Sequence, residues 1–393
     1  MTPDIPSCES ANPKEIQFVR QSYDERGAKG TEPTERWLSL VLYKRRSKWH
    51  VRVAFHGALQ SSTDALFKKT KRRQDLENLC LCIDFCRISC IDNTVTELLI
   101  SLDEKDWRLP LQSSPGTDNA YAAKADSLWA SVQEDPKRVR YPLYDPSSPT
   151  PIMELKNITK AREVEAGVHE ARIDGDPTLY IYKQIERPFY VPRDSAVLIQ
   201  ELRNLELVGG TENIVKLIAA VISENPYQTT DEEGSTTVSR GILIEHHPNG
   251  TLKDALHDPK RQMDGRWLVW SRQIAKALAR LHVAGLAHMD LKPSNVVITA
   301  EWNAVVIDIS GIGGVTREWL LPELRKEADP LSQSLEVRKQ SDIWALGQIL
   351  YEMAEVSTQE DKQSLRTIAD AATKVPGNSL SYVMALLPDR VSG

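Results

Sequence analysis

Two short motifs, separated by only a few residues, constrain this chain more than any other feature. The first is HMDLKPSNVVI, from His288 to Ile298, and the second is VVIDISG, from Val305 to Gly311. The polar side chains that they present are those of Asp290, Lys292, Asn295 and Asp308. Two carboxylates, an ammonium group and an amide are the groups that phosphoryl transfer uses to position reactants, hold metal ions and neutralise charge.

The sequence around the motifs predicts the elements that support them. Apolar residues precede the first motif at spacings of three and four, which is typical of one buried helical face; they are Trp267, Trp270, Ile274, Leu278 and Leu281. Gly285 supplies a permissive backbone where this helix ends. Val296–Ile298 and Val305–Ile307 are β-branched runs around a polar turn, which predicts a hairpin. Asn295 and Asp308 would then lie at neighbouring strand ends.

From about Ile152 to the C-terminus the chain resembles the eukaryotic protein kinases, because further motifs of that family follow in order. Lys183 ends the run LYIYK, and Glu201 lies in VLIQELRNL with leucines at helical spacing. Three longer stretches resemble the hinge between the lobes, the end of an activation segment and the helix that anchors the catalytic loop. They are ILIEHHPNGTL at 242–252, VTREWLLPE at 315–323 and SDIWALG at 341–347.

The resemblance implies an α+β bilobal fold, with a small β-rich lobe and a compact, mainly helical lobe, and an ATP- and Mg2+-dependent serine/threonine kinase with a protein substrate. The catalytic roles that it implies fall to Asp290 as base, Lys292 on the transferring phosphoryl, and Lys183 on the phosphates with Glu201 as its partner. The nucleotide and metal contacts that it implies fall to Gly167, Lys183, Ile244, the backbone of Glu245 and His247, and the metal ligands Asn295 and Asp308.

Two departures from the family pattern bear on activity. The phosphate-covering loop VEAGVHEAR, 164–172, keeps Gly167 alone, and Glu165 and Glu170 add negative charge beside a polyanion. Backbone amides approach phosphate closely only where side chains are absent. We therefore expect weakened nucleotide binding, and a pseudokinase that serves as a protein-interaction scaffold is the alternative function. Phosphorylation of a small molecule is a third reading.

The second departure concerns activation. The catalytic loop reads His-Met-Asp rather than His-Arg-Asp, so Met289 replaces an arginine that grasps a phosphate in many family members. DIS replaces DFG, and the short segment from Asp308 to Glu323 carries hydroxyls only at Ser310 and Thr316. We therefore predict no activation by phosphorylation of this segment. Arg390 either pairs with Glu323 or is exposed in the tail.

The sequence of the first part of the chain predicts a domain separate from the kinase-like one. We expect a disordered or extended N-terminus at 1–30, a β-rich or α+β domain of unknown function at 31–110, a linker at 111–151 and the kinase-like domain at 152–393. Strands are predicted at 37–43, 49–55, 81–91 and 95–102. The basic run 68–73 is either a solvated loop or a nuclear address, and 229–239 is predicted as a mobile loop. Four cysteines at 80, 82, 86 and 90 lack zinc-site spacing and read as buried thiols.

The composition of the chain limits the classes of binding partner and the cellular compartments that we expect. The formal net charge is -6 and the sequence pI is about 5.9, which argues against nucleic acid as the main partner. The sequence shows neither a signal peptide nor an apolar run long enough for a membrane span. Five cysteines without secretory features fit a reducing compartment, so a cytoplasmic or nuclear location is expected.

Overall fold

The structure is a computed structural model that describes residues 15–27, 32–44, 46–59, 68–112, 127–230, 236–258, 266–374 and 380–387. The described residues divide into two units. The first runs as far as Arg138 and also includes Glu224–Thr237, and the second comprises Val139–Ser223 and the residues from Val238 onward.

The first unit is a mixed sheet covered by a helix. Its elements are β1 (Ile16–Phe18), β2 (Asp24–Arg26), β3 (Glu35–Lys44), β4 (Ser47–His56), α1 (Lys69–Cys82), β5 (Val95–Ser101), β6 (Trp107–Arg108) and β7 (Trp129–Glu134). The strand order is β1-β3-β4-β5-β7-β6, with β2 also paired to β3. Alternate residues of β3 are buried, and the leucines of this face share one core with Leu76, Leu79 and Cys80 of α1.

The predictions for the first unit are partly confirmed. The strands expected at 37–43, 49–55 and 95–102 are present as β3, β4 and β5. The strand expected at 81–91 is wrong, because this stretch begins inside α1 and continues into a 3-10 turn at Phe85–Arg87. Burial of Leu76, Leu79 and Cys80 on one face imposes the helical period there. The basic run 68–73 begins α1 rather than forming a loop, and Arg72 in it binds Glu25.

The sheet extends past both ends of the range 31–110. β1 and β2, inside the predicted N-terminal tail, pair with β3, and β7, inside the predicted linker, pairs with β5. The predicted mobile loop at 229–239 is wrong at its start and at its end, where a strand begins at Thr237. Thr229 is 3% exposed, and it exchanges hydrogen bonds of 2.8 and 3.0 Å with Asn93. Residues 231–235 lie outside the described part of the chain.

Three cysteines of the first unit, Cys80, Cys82 and Cys90, pack in its apolar core, and Cys86 lies 3.5 Å from Nζ of Lys44. Cys80 is fully buried, Cys82, Cys86 and Cys90 are half-buried, and none of the four is in a disulfide. Burial raises the pKa of Cys80 and raises that of Cys90 to about 11. Such thiols are poor nucleophiles and poor metal ligands at neutral pH. Among the described residues no three His, Cys, Asp or Glu side chains gather as a metal site.

The second unit begins with a β-rich part. Its elements are β8 (Ile152–Glu154), β9 (Ile158–Glu165), β10 (Val168–Ile173), β11 (Tyr180–Gln184), α2 (Pro192–Leu207), β12 (Leu217–Glu224) and β13 (Thr237–Glu245). The strands form one sheet in the order β8-β12-β13-β11-β10-β9. The start of α2 is held by Asp194, whose carboxylate accepts a hydrogen bond from the backbone of Val191 at 2.9 Å. Asp194 thus caps the helix from within its first turn.

A mainly helical part follows in the second unit. Its elements are α3 (Leu252–His257), α4 (Arg266–Val283), the hairpin β14 (Val296–Ile298) and β15 (Ala304–Val306), α5 (Leu335–Val356), α6 (Gln359–Thr373) and α7 (Leu380–Leu386). The predicted helix and hairpin are confirmed as α4 and β14–β15, and Gly285 has a φ of 76°. A β-rich part joined to a helical part is the α+β bilobal arrangement that the family resemblance implied. Within the described residues no helix is both long and apolar enough to cross a membrane.

Candidate active site

Lys183 joins two carboxylates that are far apart in sequence. It lies on β11, paired with Ile242 of β13 and Val168 of β10, so its backbone is fixed on both sides. Its Nζ lies 2.6 and 2.7 Å from the two oxygens of Glu201 on α2 and 2.5 Å from Oδ1 of Asp308. The side chain of Glu201 is 4% exposed and that of Asp308 is 41% exposed. Asp308 therefore faces open space beside the lysine.

Burial and mutual proximity set the ionisation states of Lys183, Glu201 and Asp308. Burial disfavours the charged form of Lys183, but the carboxylates of Asp308 and Glu201 outweigh it and raise the pKa of the lysine. Desolvation also works against ionised Asp308, and Lys183 reverses this effect and lowers the pKa of that carboxyl. Burial raises the pKa of Glu201 despite its contact with Lys183. Near neutral pH we therefore expect Lys183 and Asp308 both to be ionised.

A second group is built on the loop between α4 and β14. Oδ1 of Asp290 accepts a hydrogen bond from the backbone N–H of Thr316 at 2.8 Å. Oδ2 accepts one from the Asn295 amide at 3.1 Å and lies 2.8 Å from Nζ of Lys292. Lys292 also donates to the hydroxyl of Thr316 at 2.8 Å. Three donors thus hold the Asp290 carboxylate in one orientation, and the second amide contact of Asn295 goes to the Asp290 carbonyl.

This loop is fixed from below by a buried carboxylate. Asp342 of α5 is 1% exposed and accepts backbone N–H bonds from His288 and Met289, each at 2.8 Å. His288 accepts from the backbone of Asp290 at 3.2 Å and donates to the carbonyl of Ile307 at 2.9 Å. His288 and Asp342 are therefore structural, because their polar atoms bind the backbone of the loop.

All ten residues expected at the site line one cleft of about 730 Å3. They are Gly167, Lys183, Glu201, Ile244, Glu245, His247, Asp290, Lys292, Asn295 and Asp308. Ile244 is 4% exposed, and the backbone N–H of Glu245 donates to Lys216 at 3.1 Å, so the contact expected there would use its carbonyl. The structure thus brings together side chains that the sequence separates by more than a hundred residues.

The turn between β9 and β10 lies over this cleft. Gly167 has a φ of 78°, and a Cβ there would lie 2.8 Å from Cβ of Arg187, so the position requires glycine. Its N–H donates to the side chain of Glu163 at 3.2 Å, and Ala166 is the other residue of the turn, which follows Glu165 at the end of β9. Glu170 pairs with Arg162, which offsets part of the negative charge that we expected there.

Sequence reasoning missed an apolar cluster beneath the catalytic loop. Met289 is 3% exposed, with a φ of 66°, and packs in a cluster with Ala287, Leu320 and Leu324. Half-buried residues surround this apolar loop cluster: Val315, Leu321, Leu331, Leu335 and Val337. No local sequence pattern predicts this cluster, because its members come from three separate stretches of chain. Arg390, considered above as a partner of Glu323, lies outside the described residues.

Comparison with known proteins agrees with this geometry. Residues 165–379, more than half of the chain, match the family profile of the protein kinase domain. The chain belongs to the protein kinase family. Mitogen-activated protein kinase kinase kinase 17 of Arabidopsis thaliana is 33% identical over 128 residues, which is 32% of this chain and 34% of that protein.

Two other relatives cover more of the chain. The Wee1-like protein kinase of Arabidopsis thaliana is 29% identical over 246 residues, 59% of this chain and 45% of that protein. Serine/threonine-protein kinase nekl-2 of Caenorhabditis elegans is 26% identical over 161 residues, 36% of this chain and 43% of that protein. In each of these three alignments the matched region covers less than half of the relative's length.

Proposed function

We propose that this protein is an ATP- and Mg2+-dependent serine/threonine kinase that phosphorylates a protein hydroxyl. The observation that carries the proposal is the bridge from Glu201 through Lys183 to Asp308 in the same cleft as the triply held Asp290 carboxylate. Phosphoryl transfer depends on positioning and on charge neutralisation, and these two groups supply both.

Asn295 and Asp308 fit a Mg2+ site. The amide nitrogen of Asn295 is committed to Asp290, which leaves its oxygen for a cation, and Asp308 uses one carboxylate oxygen on Lys183 and keeps the other. Mg2+ prefers oxygen ligands and usually combines one or two carboxylates with water and substrate phosphates. Bound between these residues and the nucleotide, the ion would neutralise phosphate charge, and Lys183 would bind the same phosphates.

The hydrogen bonds of Asp290 and Lys292 support their roles and the preference for serine and threonine. Asp290 is held by Thr316, Asn295 and Lys292, so its carboxylate is oriented to accept the proton of an attacking hydroxyl. Lys292 places a positive charge beside that base, where it would offset charge on the transferring phosphoryl. In the family a lysine at this position goes with serine/threonine substrates, and the C. elegans relative is named a serine/threonine-protein kinase.

We further propose that activity does not require phosphorylation of the activation segment. Met289 fills with apolar contacts the position from which an arginine would reach a phosphate. The hydroxyl of Ser310 accepts from the backbone of Gly313 at 3.1 Å, and that of Thr316 accepts from Lys292. Both hydroxyls already serve the folded segment. A reducing cytoplasm or nucleus suits the described cysteines of the first unit, which form no disulfide.

A pseudokinase is the second candidate, and the turn at Ala166–Gly167 favours it. The N–H of Gly167 is used by Glu163, and Glu165 lies on the cleft, so this turn offers a phosphate few free amides and an added negative charge. A like-charge contact near a solvated surface costs about 1 kcal/mol at close range. Such a scaffold would bind nucleotide weakly and would work through its surface.

Mg2+-dependent ATP turnover by the purified chain distinguishes these functions. Turnover in the wild type that is lost in Asp290→Asn, with thermal stabilisation by Mg·ATP retained in both, supports the kinase. Nucleotide stabilisation without turnover in either protein supports the pseudokinase. Absence of both stabilisation and turnover would overturn the proposal. Phosphoamino acid analysis of the product separates serine and threonine from tyrosine.

A further inference from the structure

The four residues that follow Asp308 are held through their backbone carbonyls. The side-chain amide of Asn204 donates to the carbonyls of Ile309 and Ser310, at 2.7 and 3.1 Å. Nη2 of Arg338 donates to Gly311 at 2.8 Å, and Nη2 of Arg193 donates to Ile312 at 2.8 Å. Four consecutive carbonyls thus receive donors from the helices α2 and α5, and we call residues 309–312 the clamped segment.

The backbone conformation just before this segment and within it makes such anchoring important for the direction of Asp308. Asp308 has a φ of 61°, which is unusual for a residue with a side chain, and Gly311 has a φ of 67°. A Cβ at Gly311 would lie 2.5 Å from the carbonyl oxygen of Ala287. The backbone therefore turns sharply against the catalytic loop, and the direction of the Asp308 carboxylate depends on contacts that hold this turn.

Asn204 is placed to connect that turn with the lysine bridge. It lies three residues after Glu201, so both side chains leave the same face of α2. Asn204 is 3% exposed, and its oxygen accepts from Gln200 at 2.9 Å while its nitrogen serves the two carbonyls. One face of the helix thus holds Lys183 through Glu201 and the clamped segment through Asn204. A displacement of α2 would break both sets of contacts together.

We propose that Asn204 is a positioning residue that couples α2 to the Mg2+ ligand Asp308, with Arg338 as a second anchor from α5. This inference rests on the proposed function, because it concerns how the metal ligand is oriented. The coupling offers a physical reason why the segment can stay ordered without a phosphate. Buried amide hydrogen bonds replace the ion pair that an activating phosphate would form.

Asn204→Asp is the sharpest variant, because it preserves the shape of the side chain and removes both donors. Its carboxylate oxygens would face two carbonyl oxygens, which leaves two buried acceptors unpaired. We expect the Mg2+ concentration for half-maximal binding of a non-hydrolysable ATP analogue to rise by about 10-fold or more. Binding of the same analogue in excess chelator should change by less than 2-fold, since Lys183 keeps Glu201.

Three comparisons separate positioning from general stability. Arg203→Ala changes an exposed residue of the same helix and should leave Mg2+-dependent binding as in the wild type. Arg338→Met should raise the Mg2+ concentration needed for half-maximal binding. Arg338→Lys keeps one donor for Gly311, so its Mg2+ requirement should lie between those of Arg338→Met and the wild type. In an Asp308→Asn background, Asn204→Asp should produce no further loss of Mg2+-dependent binding, because the ligand on which it acts is gone.

Calorimetric titration of nucleotide at several Mg2+ concentrations, with the thermal midpoint of each variant, decides the matter. A raised Mg2+ requirement that disappears in the Asp308→Asn background supports the proposal. A lower midpoint with unchanged Mg2+ dependence, or an equal loss with and without Mg2+, overturns it and leaves Asn204 a merely structural residue. If Asn204→Asp fails to fold, the Arg338→Met and Arg338→Lys pair gives the same test. Absence of nucleotide binding in the wild type would instead refute the proposed function.

Discussion

Replacing Met289 by arginine should destabilise the catalytic loop of this protein. Met289 is 3% exposed, and full burial of a methionine side chain is worth about 1.5–3 kcal/mol. Met289→Arg loses that burial and directs a guanidinium into a cluster made of Ala287, Leu320 and Leu324, where no carboxylate pairs with it among its apolar neighbours. An unpaired buried charge adds a further cost, reduced if the long side chain reaches solvent. We expect a local loss of about 2–4 kcal/mol.

Hydrogen exchange measured by mass spectrometry reports this loss where it occurs. A local loss of about 2 kcal/mol corresponds to about 30-fold faster exchange of protected amides in 287–291 and 320–324. Met289→Leu keeps apolar volume and should cost less than about 1.5 kcal/mol. Turnover should fall in the arginine variant, because the neighbouring Asp290 belongs to the same loop.

Amide exchange in Met289→Arg as slow as in the wild type would contradict a structural role for apolar burial at position 289. A gain of activity in the arginine variant on phosphorylation of Ser310 or Thr316 would contradict it too, because the apolar loop cluster would then be replaceable by an ion pair.

Four further outcomes follow from the site. Lys183 holds the pKa of Asp308 below its ordinary value of 3.8. The ionised carboxylate should therefore stabilise the fold fully above pH 3.8, and this contribution should be lost as the pH falls through the lower pKa of the folded state. In urea titrations, the destabilisation caused by Asp308→Asn should be smaller at about pH 3 than at about pH 6. Thr316→Val should lower kcat by about 10-fold through loss of the hydroxyl that Lys292 binds, and Thr316→Ser should retain activity in the same steady-state assay. Glu165→Gln should lower the KM for ATP by about 2- to 5-fold, and an unchanged KM would show that this carboxylate turns away from the phosphates. Asp342→Asn should cost about 2–3 kcal/mol in equilibrium unfolding, since an amide nitrogen would face a backbone N–H, and a neutral effect would contradict its scaffold role.

The local sequence was sufficient to predict a secondary-structure element wherever the contacts that form the element lie within one short stretch of chain. The residues from Asp290 to Asn295 share one loop, and the apolar spacing of α4 and the β-branched runs of β14 and β15 predicted their elements correctly. Sequence reasoning failed at Leu81–Ile91, where a run that looked like a strand begins inside a helix. The first unit also recruits Glu224–Thr237, which no boundary drawn along the chain could anticipate.

The sequence by itself determined the residue types of the cleft and the local frames that present them, because motif spacing and periodicity are properties of neighbouring residues. Tertiary structure alone decided that Lys183 meets Asp308 across 125 residues and that Asn204 meets Ile309 across 105. It also decided that Met289 is enclosed by apolar side chains and that Arg162 neutralises Glu170. Each of these contacts depends on how packed elements are oriented in space, and the free energy that fixes the orientation comes from burial of the whole core.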